Sequence, residues 1–136
     1  MKALFRVPMR VHNGLLLMTA LAAAYRSKAP VSLENVAKAE RLSQGFLEDI
    51  AKSLRKAKLI QGQRGKGGGY RLSKAPGRIS VESIIEATEG PVALLDCLSS
   101  PVACPSGQRC SSRKIWKKVQ DRIVASLESV TLADLV

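Results

Sequence analysis

Residues 64–72 read Arg-Gly-Lys-Gly-Gly-Gly-Tyr-Arg-Leu, and the rest of the chain is best interpreted from this stretch outward. Four of its nine residues are glycine and three are cationic. Because glycine loses more backbone entropy on ordering than any other residue, such a loop does not form for its own stability. It is either a loop that cradles the phosphates of a nucleotide or the tip of a β-hairpin that lies along a nucleic-acid backbone.

The residues around the glycine stretch favour the hairpin. A Walker phosphate loop requires Lys-Ser or Lys-Thr after its glycines, and a dinucleotide-binding loop requires a strand before it and a helix after it. Here a dense helical run over residues 46–60 comes first, and residues 59–64 and 70–72 alternate apolar and polar side chains as short strands do. Glycines allow the tight, positive-φ turns of a hairpin tip. An ordinary solvated hairpin with incidental charge is the alternative.

Two short helices are predicted before the hairpin. Ser32 is a candidate N-cap for a helix that ends near Arg41, and Ser43 is a candidate N-cap for a second helix. Two helices joined by a short turn form the helix-turn-helix outline, and a glycine-rich basic hairpin directly after it is typical of a winged helix. We therefore predict a mainly α fold, a winged helix-turn-helix with a small β-hairpin wing and a long C-terminal dimerisation helix.

Composition and charge indicate the class of partner. The 136 residues carry a formal net charge of +11, which is an argument for a polyanionic partner, most commonly nucleic acid. A membrane surface and non-specific coating of nucleic acid are the alternatives. The longest apolar run, residues 15–24, is shorter than the ~18 residues of a membrane span. We interpret it as a buried helix and not a signal peptide, which predicts a cytoplasmic protein.

We expect three segments along the chain: a DNA-binding domain over residues 1–90, a cysteine-containing sensor loop over 91–113, and a dimerisation helix with its tail over 114–136. In the last segment, apolar residues recur every four positions. Such a stripe needs a partner, and a second copy of the chain is the simplest one. The apolar tail, residues 131–136, should dock on the protein. The stripe comprises Ile115, Val119, Ile123 and Leu127.

The second helix of the pair is the candidate reader of DNA bases. Ser43 and Gln44 lie at its N-terminus, where a recognition helix enters the major groove. Gln44 can bond adenine, Ser43 can bond a phosphate or a base edge, and Glu48 can accept a bond from a cytosine amine. A solvated helix face is the alternative for its basic run. The cations that we expect at the DNA backbone or in the minor groove are Lys52, Arg55, Arg64, Lys66 and Arg71.

Cys97, Cys104 and Cys110 are spaced as C-x6-C-x5-C, without the tight CxxC knuckle of structural zinc sites. Thiolates favour soft metals and iron–sulfur clusters. A thiol redox sensor, or no site at all, is the alternative. A catalytic thiolate would be expected to pair with a histidine, and the one histidine, His12, is distant in sequence. Candidates for a fourth cluster ligand are His12, Asp96, Asp121 or a carboxylate of a partner chain.

Nearly the whole chain resembles the IscR/NsrR-type winged-helix transcription regulators. The resemblance is carried by Leu47-Glu48, by Leu54-Arg55-Lys56-Ala57-Lys58-Leu59-Ile60 and by residues 64–72. Towards the C-terminus it is carried by Trp116, by Asp121-Arg122 and by Thr131-Leu132-Ala133-Asp134-Leu135-Val136.

This resemblance implies a homodimer that binds palindromic operator DNA and whose long C-terminal helix crosses to the partner. It implies that Cys97, Cys104 and Cys110 hold an iron–sulfur cluster, 2Fe–2S or 4Fe–4S, which senses iron–sulfur status, nitric oxide or redox change. Arg64 matches the wing arginine, and Glu48 matches a glutamate that tunes operator choice.

Two positions depart from the family pattern. Arg113 stands where IscR-type proteins have a ligating histidine, and about Arg10 stands where NsrR-type proteins have a ligating aspartate. The gap between the first two cysteines is also one residue longer than usual. The resemblance therefore implies three thiolate ligands and leaves the fourth ligand and the cluster type open.

Overall fold

The computed structural model describes residues 2–100 and 109–136, and the predicted fold class is confirmed. Short 3₁₀ segments at Tyr25–Ser27, Pro76–Arg78 and Leu132–Leu135 supplement the main elements. Within the described residues, no helix is long and apolar enough to cross a membrane. The main elements are α1 (Met9–Ala23), α2 (Leu33–Glu40), α3 (Gln44–Lys56), β1 (Ile60–Gln63), β2 (Gly69–Leu72), α4 (Val81–Thr88), α5 (Asp96–Ser99) and α6 (Ser111–Ser129).

The helix pair α2–α3 begins at the serine caps that the sequence predicts. The Ser32 hydroxyl accepts a hydrogen bond from the Asn35 N–H at 3.0 Å, and the Ser43 hydroxyl accepts one from the Phe46 N–H at 3.3 Å. Between the helices, Arg41 adopts a left-handed conformation (φ 57°), which ends α2 and turns the chain. The apolar face of α3 is buried, so its polar face is left for solvent or a ligand.

Three boundaries differ from the sequence-based prediction. The helical run expected over 46–60 ends at Lys56, because Lys58 turns left-handed (φ 63°) and Ile60 pairs with Leu72 in the hairpin. The first helix begins at Met9, directly after Pro8, so it extends well before the apolar run over residues 15–24 that was predicted to be buried. The last helix begins at Ser111 and not at residue 114, because the Cys110 side chain caps it.

The wing is an antiparallel hairpin that is hydrogen-bonded to the residue before the helix pair. Strands β1 and β2 align Ile60 with Leu72 and Gln63 with Gly69. Val31, just before α2, exchanges two backbone hydrogen bonds with Tyr70, both at 2.8 Å. A Cβ at Gly69 would lie 2.3 Å from the Val31 carbonyl oxygen, so this close approach needs glycine.

The core is built around α1, and the C-terminal tail closes it. Leu17, Met18 and Leu21 of α1 are almost fully buried. Leu132 is fully buried as well, and its N–H donates to the Ile79 carbonyl at 3.0 Å. The predicted docking of the tail is therefore observed for its first half, while Val136 at the end is 58% exposed.

Helix α6 is held less firmly than the other long helices. None of its residues is fully buried, although it packs along α4. Partial burial raises the pKa of Glu82 on α4, and repulsion from Glu86 and Glu128 raises it further. A carboxyl whose pKa is raised in the folded state destabilises that state once the pH rises above its unfolded value. At neutral pH ionised Glu82 therefore lowers the stability of the folded state, and Glu128 is the α6 residue that contributes to this effect.

The Gly69→Ala variant should lose about 1–3 kcal/mol of unfolding free energy, because the added methyl group overlaps the Val31 backbone. Urea denaturation at a fixed protein concentration measures this change. The matched control is Gly45→Ala in α3, where no neighbour other than Ser43 Oγ at 3.9 Å lies near the new methyl group. The control should gain up to about 1 kcal/mol. Equal stability of the two variants would contradict the role given to the Val31–Tyr70 pairing.

Candidate functional site

The polar face of α3 and the backbone of the wing line one groove of about 460 Å³. Four of the predicted contact residues line this groove from α3, and they follow one another at spacings of about one helical turn. The wing contributes Gly68, Gly69 and Tyr70, and the start of α2 contributes Glu34. The structure therefore brings the predicted reading helix and the wing together on one surface. The four residues from α3 are Gln44, Glu48, Lys52 and Arg55.

These side chains are exposed and available for a ligand. The Gln44 amide donates to the Glu48 carboxylate at 3.5 Å, a long and weak bond that an incoming base edge could replace. No ion pair in the described part of the chain involves Lys52 or Arg55. Ser43 is exposed too, and its hydroxyl oxygen is already engaged as the cap of α3.

The cations of the wing divide between two faces. Arg64 and Lys66 project from the exposed tip, where Gly65 takes a positive φ of 102° and the Gly68 N–H closes the turn on the Gly65 carbonyl. Arg71 points to the opposite side of the hairpin from its neighbour Tyr70, because successive residues of a strand point to opposite sides. It lines a separate groove of about 270 Å³ with Arg26 and Lys28. The structure thus separates Arg71 from the α3 groove.

A contact network around Arg10 was not predicted from the sequence. Its guanidinium donates to the Asp49 carboxylate, to the Ser53 hydroxyl and to the Thr88 carbonyl oxygen. One side chain of α1 therefore touches both α3 and the last residue of α4. The sequence contains only a weak indication of this network, namely that Arg10 is the one Lys or Arg residue in the otherwise mostly apolar α1.

The cysteine-containing segment is partly helical, where a loop was predicted. Cys97 lies in the short helix α5, and Cys110 is the N-cap of α6, where its sulfur accepts a hydrogen bond from the Arg113 N–H at 3.4 Å. Both thiols are half-buried and neither forms a disulfide among the described residues. Cys104 lies outside the described residues. The preceding stretch is anchored on α6 by a 2.9 Å hydrogen bond from the Leu94 N–H to the Gln120 side chain.

Two soft thiol ligands of the kind that iron–sulfur clusters use are present at Cys97 and Cys110. The described residues contain no group of three or more His, Cys, Asp or Glu side chains that could hold a metal ion. They supply part of a ligand set and not a complete one. Arg113 cannot act as a ligand, and His12 is exposed on α1. The fourth-ligand candidates Asp96 and Asp121 are also exposed, and Asp121 pairs with Lys117 at 2.9 Å.

An apolar groove of about 620 Å³ lies between α6 and the N-terminal residues. Phe5 and Trp116 meet edge to face in it, with ring centroids 6.3 Å apart. Ile115, one of the predicted stripe residues, is 58% exposed, and Leu4 is 81% exposed. The stripe of α6 is thus only partly covered by its own chain.

The family model described as Rrf2, iron-dependent transcriptional regulator, matches residues 8–136. The chain belongs to the Rrf2 family of transcriptional regulators. It is therefore a DNA-binding regulator and not an enzyme. It is 34% identical over 114 residues to the HTH-type transcriptional regulator IscR of Erwinia tasmaniensis, a match that covers 84% of this chain and 68% of that protein.

Solved structures agree in fold along nearly the whole Rrf2 chain. CymR, the global cysteine regulator of B. subtilis, superposes with a TM-score of 0.81 at 32% identity, over 96% of this chain and 95% of that one. T. potens IscR superposes with a TM-score of 0.78 at 34% identity, over 96% and 85% of the two chains. The predicted resemblance is confirmed at the level of the family. The relatives' names point to different signals, so they do not assign one to this protein.

Proposed function

We propose that the protein is a homodimeric regulator that reads operator DNA with the groove between α3 and the wing. The observation that carries this proposal is that Gln44, Glu48, Lys52 and Arg55 line one surface with the wing backbone. In this arrangement Ser43, Gln44 and Glu48 meet base edges in the major groove. Lys52 and Arg55 meet phosphates.

The wing supplies the second part of the interface. Arg64 and Lys66 extend from its tip and enter the adjacent minor groove, where the negative potential favours cations. Arg71 faces away from the α3 groove, beside Arg26 and Lys28, and its contribution is to phosphates outside the bases that are read. Residues 1–90 act as the DNA-binding unit, and the protein acts in the cytoplasm.

The dimer is supported by the exposure of the apolar stripe on α6. Ile115 is exposed, Val119 and Leu127 are only half-buried, and none of the 19 residues of the helix is fully buried. A contiguous apolar surface of this kind marks an interaction site. Two copies related by a twofold axis would cover it and would place two α3 helices on the two halves of a palindrome.

The sensor is the segment over residues 91–113, and its thiols are the responding groups. Cys97, Cys104 and Cys110 would hold an iron–sulfur cluster, which when bound supplies redox and nitric-oxide chemistry at the thiolates. Without a cluster, the same thiols respond to oxidation directly. The segment is attached to α6 through Leu94 and Gln120, so a change in it reaches the dimer helix.

Variants of the groove test the DNA interface. Gln44→Ala and Glu48→Ala should each weaken binding to a preferred duplex by roughly 1–3 kcal/mol and relax preference at one base pair. Arg64→Ala should weaken binding and lower the salt dependence by about one phosphate contact. The duplex is selected by the wild-type protein from a random pool, and affinity is measured by fluorescence anisotropy over a range of salt.

The control for these variants is Lys74→Ala, which removes an exposed cation from the segment that follows the wing. It should leave base preference unchanged. If the Gln44, Glu48 and Arg64 variants all bind like the wild type, the groove is not the DNA interface.

A charge on the stripe of α6 should break the dimer. Ile115→Asp places a carboxylate at an exposed apolar position, so the protomer can fold while the interface is disfavoured. Ala125→Asp is the matched control, because Ala125 is exposed on the same helix and is not part of the apolar stripe. Sedimentation velocity should show monomers for the first variant and dimers for the second. Identical sedimentation of both variants would count against this dimer.

Anaerobic purification from iron-replete cells tests the sensor. If a cluster is held, the protein should be coloured and should contain iron and sulfide, and replacement of all three cysteines by serine should remove both signals. The chain has three cysteines in all, so this variant leaves no other thiol. A colourless, iron-free protein would rule out the cluster. A direct thiol response then requires oxidised and reduced protein to differ in DNA affinity, and equal affinities would exclude it.

A further inference from the structure

Arg10 joins the reading helix to the last residue of α4, shortly before the sensor segment begins, through one side chain. Its guanidinium makes three hydrogen bonds, to Asp49 and Ser53 of α3 and to the carbonyl of Thr88. A guanidinium carries five donors in a fixed planar fork, so its partners must keep one mutual arrangement. The Arg10 side chain is 24% exposed, and the Ser53 and Thr88 bonds are partly buried.

On the α3 side, the network restricts rotation of the reading helix. Asp49 and Ser53 are four residues apart, so they lie one above the other on the same flank of the helix. Glu48 and Lys52, which line the DNA groove, directly precede them in the sequence. Any rotation of α3 about its axis that moved Glu48 and Lys52 would also pull Asp49 and Ser53 away from Arg10.

On the other side, the network reaches the exit of the DNA-binding domain. Thr88 is the last residue of α4, and the chain turns at Gly90 (φ 108°) into the segment that contains Cys97. Thr88 is buried, and its methyl group would lie 2.9 Å from a Cβ at Gly14. Close packing of α4 on α1 therefore sets the resting position of Thr88 relative to Arg10, while its carbonyl lies at the end of the helix, where the chain leaves the domain.

Stability alone does not account for such a network. Asp49 is 63% exposed, and ion pairs with an exposed partner contribute little to folding. The contacts instead specify geometry, because they tie the orientation of α3 to the position of the last turn of α4.

We propose that Arg10 is a positioning residue that couples the sensor segment to the reading face of α3. This inference rests on the proposed function. A displacement of the segment after Thr88 shifts the carbonyl that Arg10 binds, and Arg10 then transmits the shift to Asp49 and Ser53. The orientation of Glu48 and Lys52 in the major groove changes with it.

The test uses Arg10→Lys, which keeps the charge and removes the fork. Binding is measured to the duplex selected by the wild-type protein and to a scrambled duplex of the same length. We expect affinity for the selected duplex to fall roughly tenfold, as for the loss of a charge-assisted hydrogen bond, while affinity for the scrambled duplex and the salt dependence stay unchanged. The ratio of affinities between air-oxidised and dithiothreitol-reduced protein should also move towards one.

Asp49→Asn weakens the network from the other partner at an exposed position, so it provides the same readouts if Arg10→Lys folds poorly. Arg78→Lys changes an exposed arginine outside the network and is the matched control. It should change neither the ratio of affinities for the selected and scrambled duplexes nor the ratio for oxidised and reduced protein. A merely structural role would lower the fraction of active protein and affect both duplexes equally. Wild-type specificity and wild-type redox response in both Arg10→Lys and Asp49→Asn would overturn the proposal.

These outcomes are separable from failure of the proposed function. If Gln44→Ala and Glu48→Ala alter base preference while Arg10→Lys and Asp49→Asn do not, the reading face stands and the coupling is wrong. If none of the four variants alters it, α3 is not the reader.

Discussion

The geometry of the groove between α3 and the wing depends on two backbone hydrogen bonds between Val31 and Tyr70. They join the residue before α2 to the second strand of the wing, each at 2.8 Å. A two-stranded hairpin alone is marginally stable in water. The bridge adds a third backbone partner to it and orients it against the helix pair. The groove between α3 and the wing exists because of this attachment, and Gly69 is the residue whose missing side chain permits it.

Much of this architecture could be predicted because it is encoded locally. The serine caps at Ser32 and Ser43, the glycine-rich hairpin and the buried stripe of α3 each have short-range signals, and all four lie where the sequence places them. The Val31–Tyr70 bridge could not be predicted in the same way, because Val31 is a single extended residue with no strand pattern around it. The end of the predicted helical run at Lys56 was missed because Lys58 adopts a positive φ without being glycine.

The candidate site likewise contains residues that could be predicted from local sequence patterns and residues that could not. The α3 residues were identified because a helix N-terminus after a cap has a known docking geometry. Arg71 was grouped with Arg64 and Lys66 by charge. Strand alternation instead turns it away from Tyr70 and from the α3 groove that Tyr70 lines. The contacts of Arg10 could not be recognised from the sequence, since its partners are 39, 43 and 78 residues away along the chain. Contacts of that range follow from the packing of α1 against α3 and α4, which no local pattern records.

If the cysteines signal to the DNA as proposed, the signal passes through elements that differ in how deeply they are buried. Helix α6 is amphipathic yet incompletely buried, and its Glu128 repels Glu82 of α4. None of the residues of α6 is fully buried, whereas the α1–α3–α4 core, with almost fully buried leucines and isoleucines, resists deformation. Under the proposed function, a signal at Cys97 or Cys110 would therefore move α6 before it moved the core. Thr88 is the last residue of α4, so its carbonyl lies where this core meets the segment that leads to Cys97. In the coupling proposed above, the Arg10 guanidinium passes a displacement of that carbonyl to α3, because its three acceptors belong to two different helices.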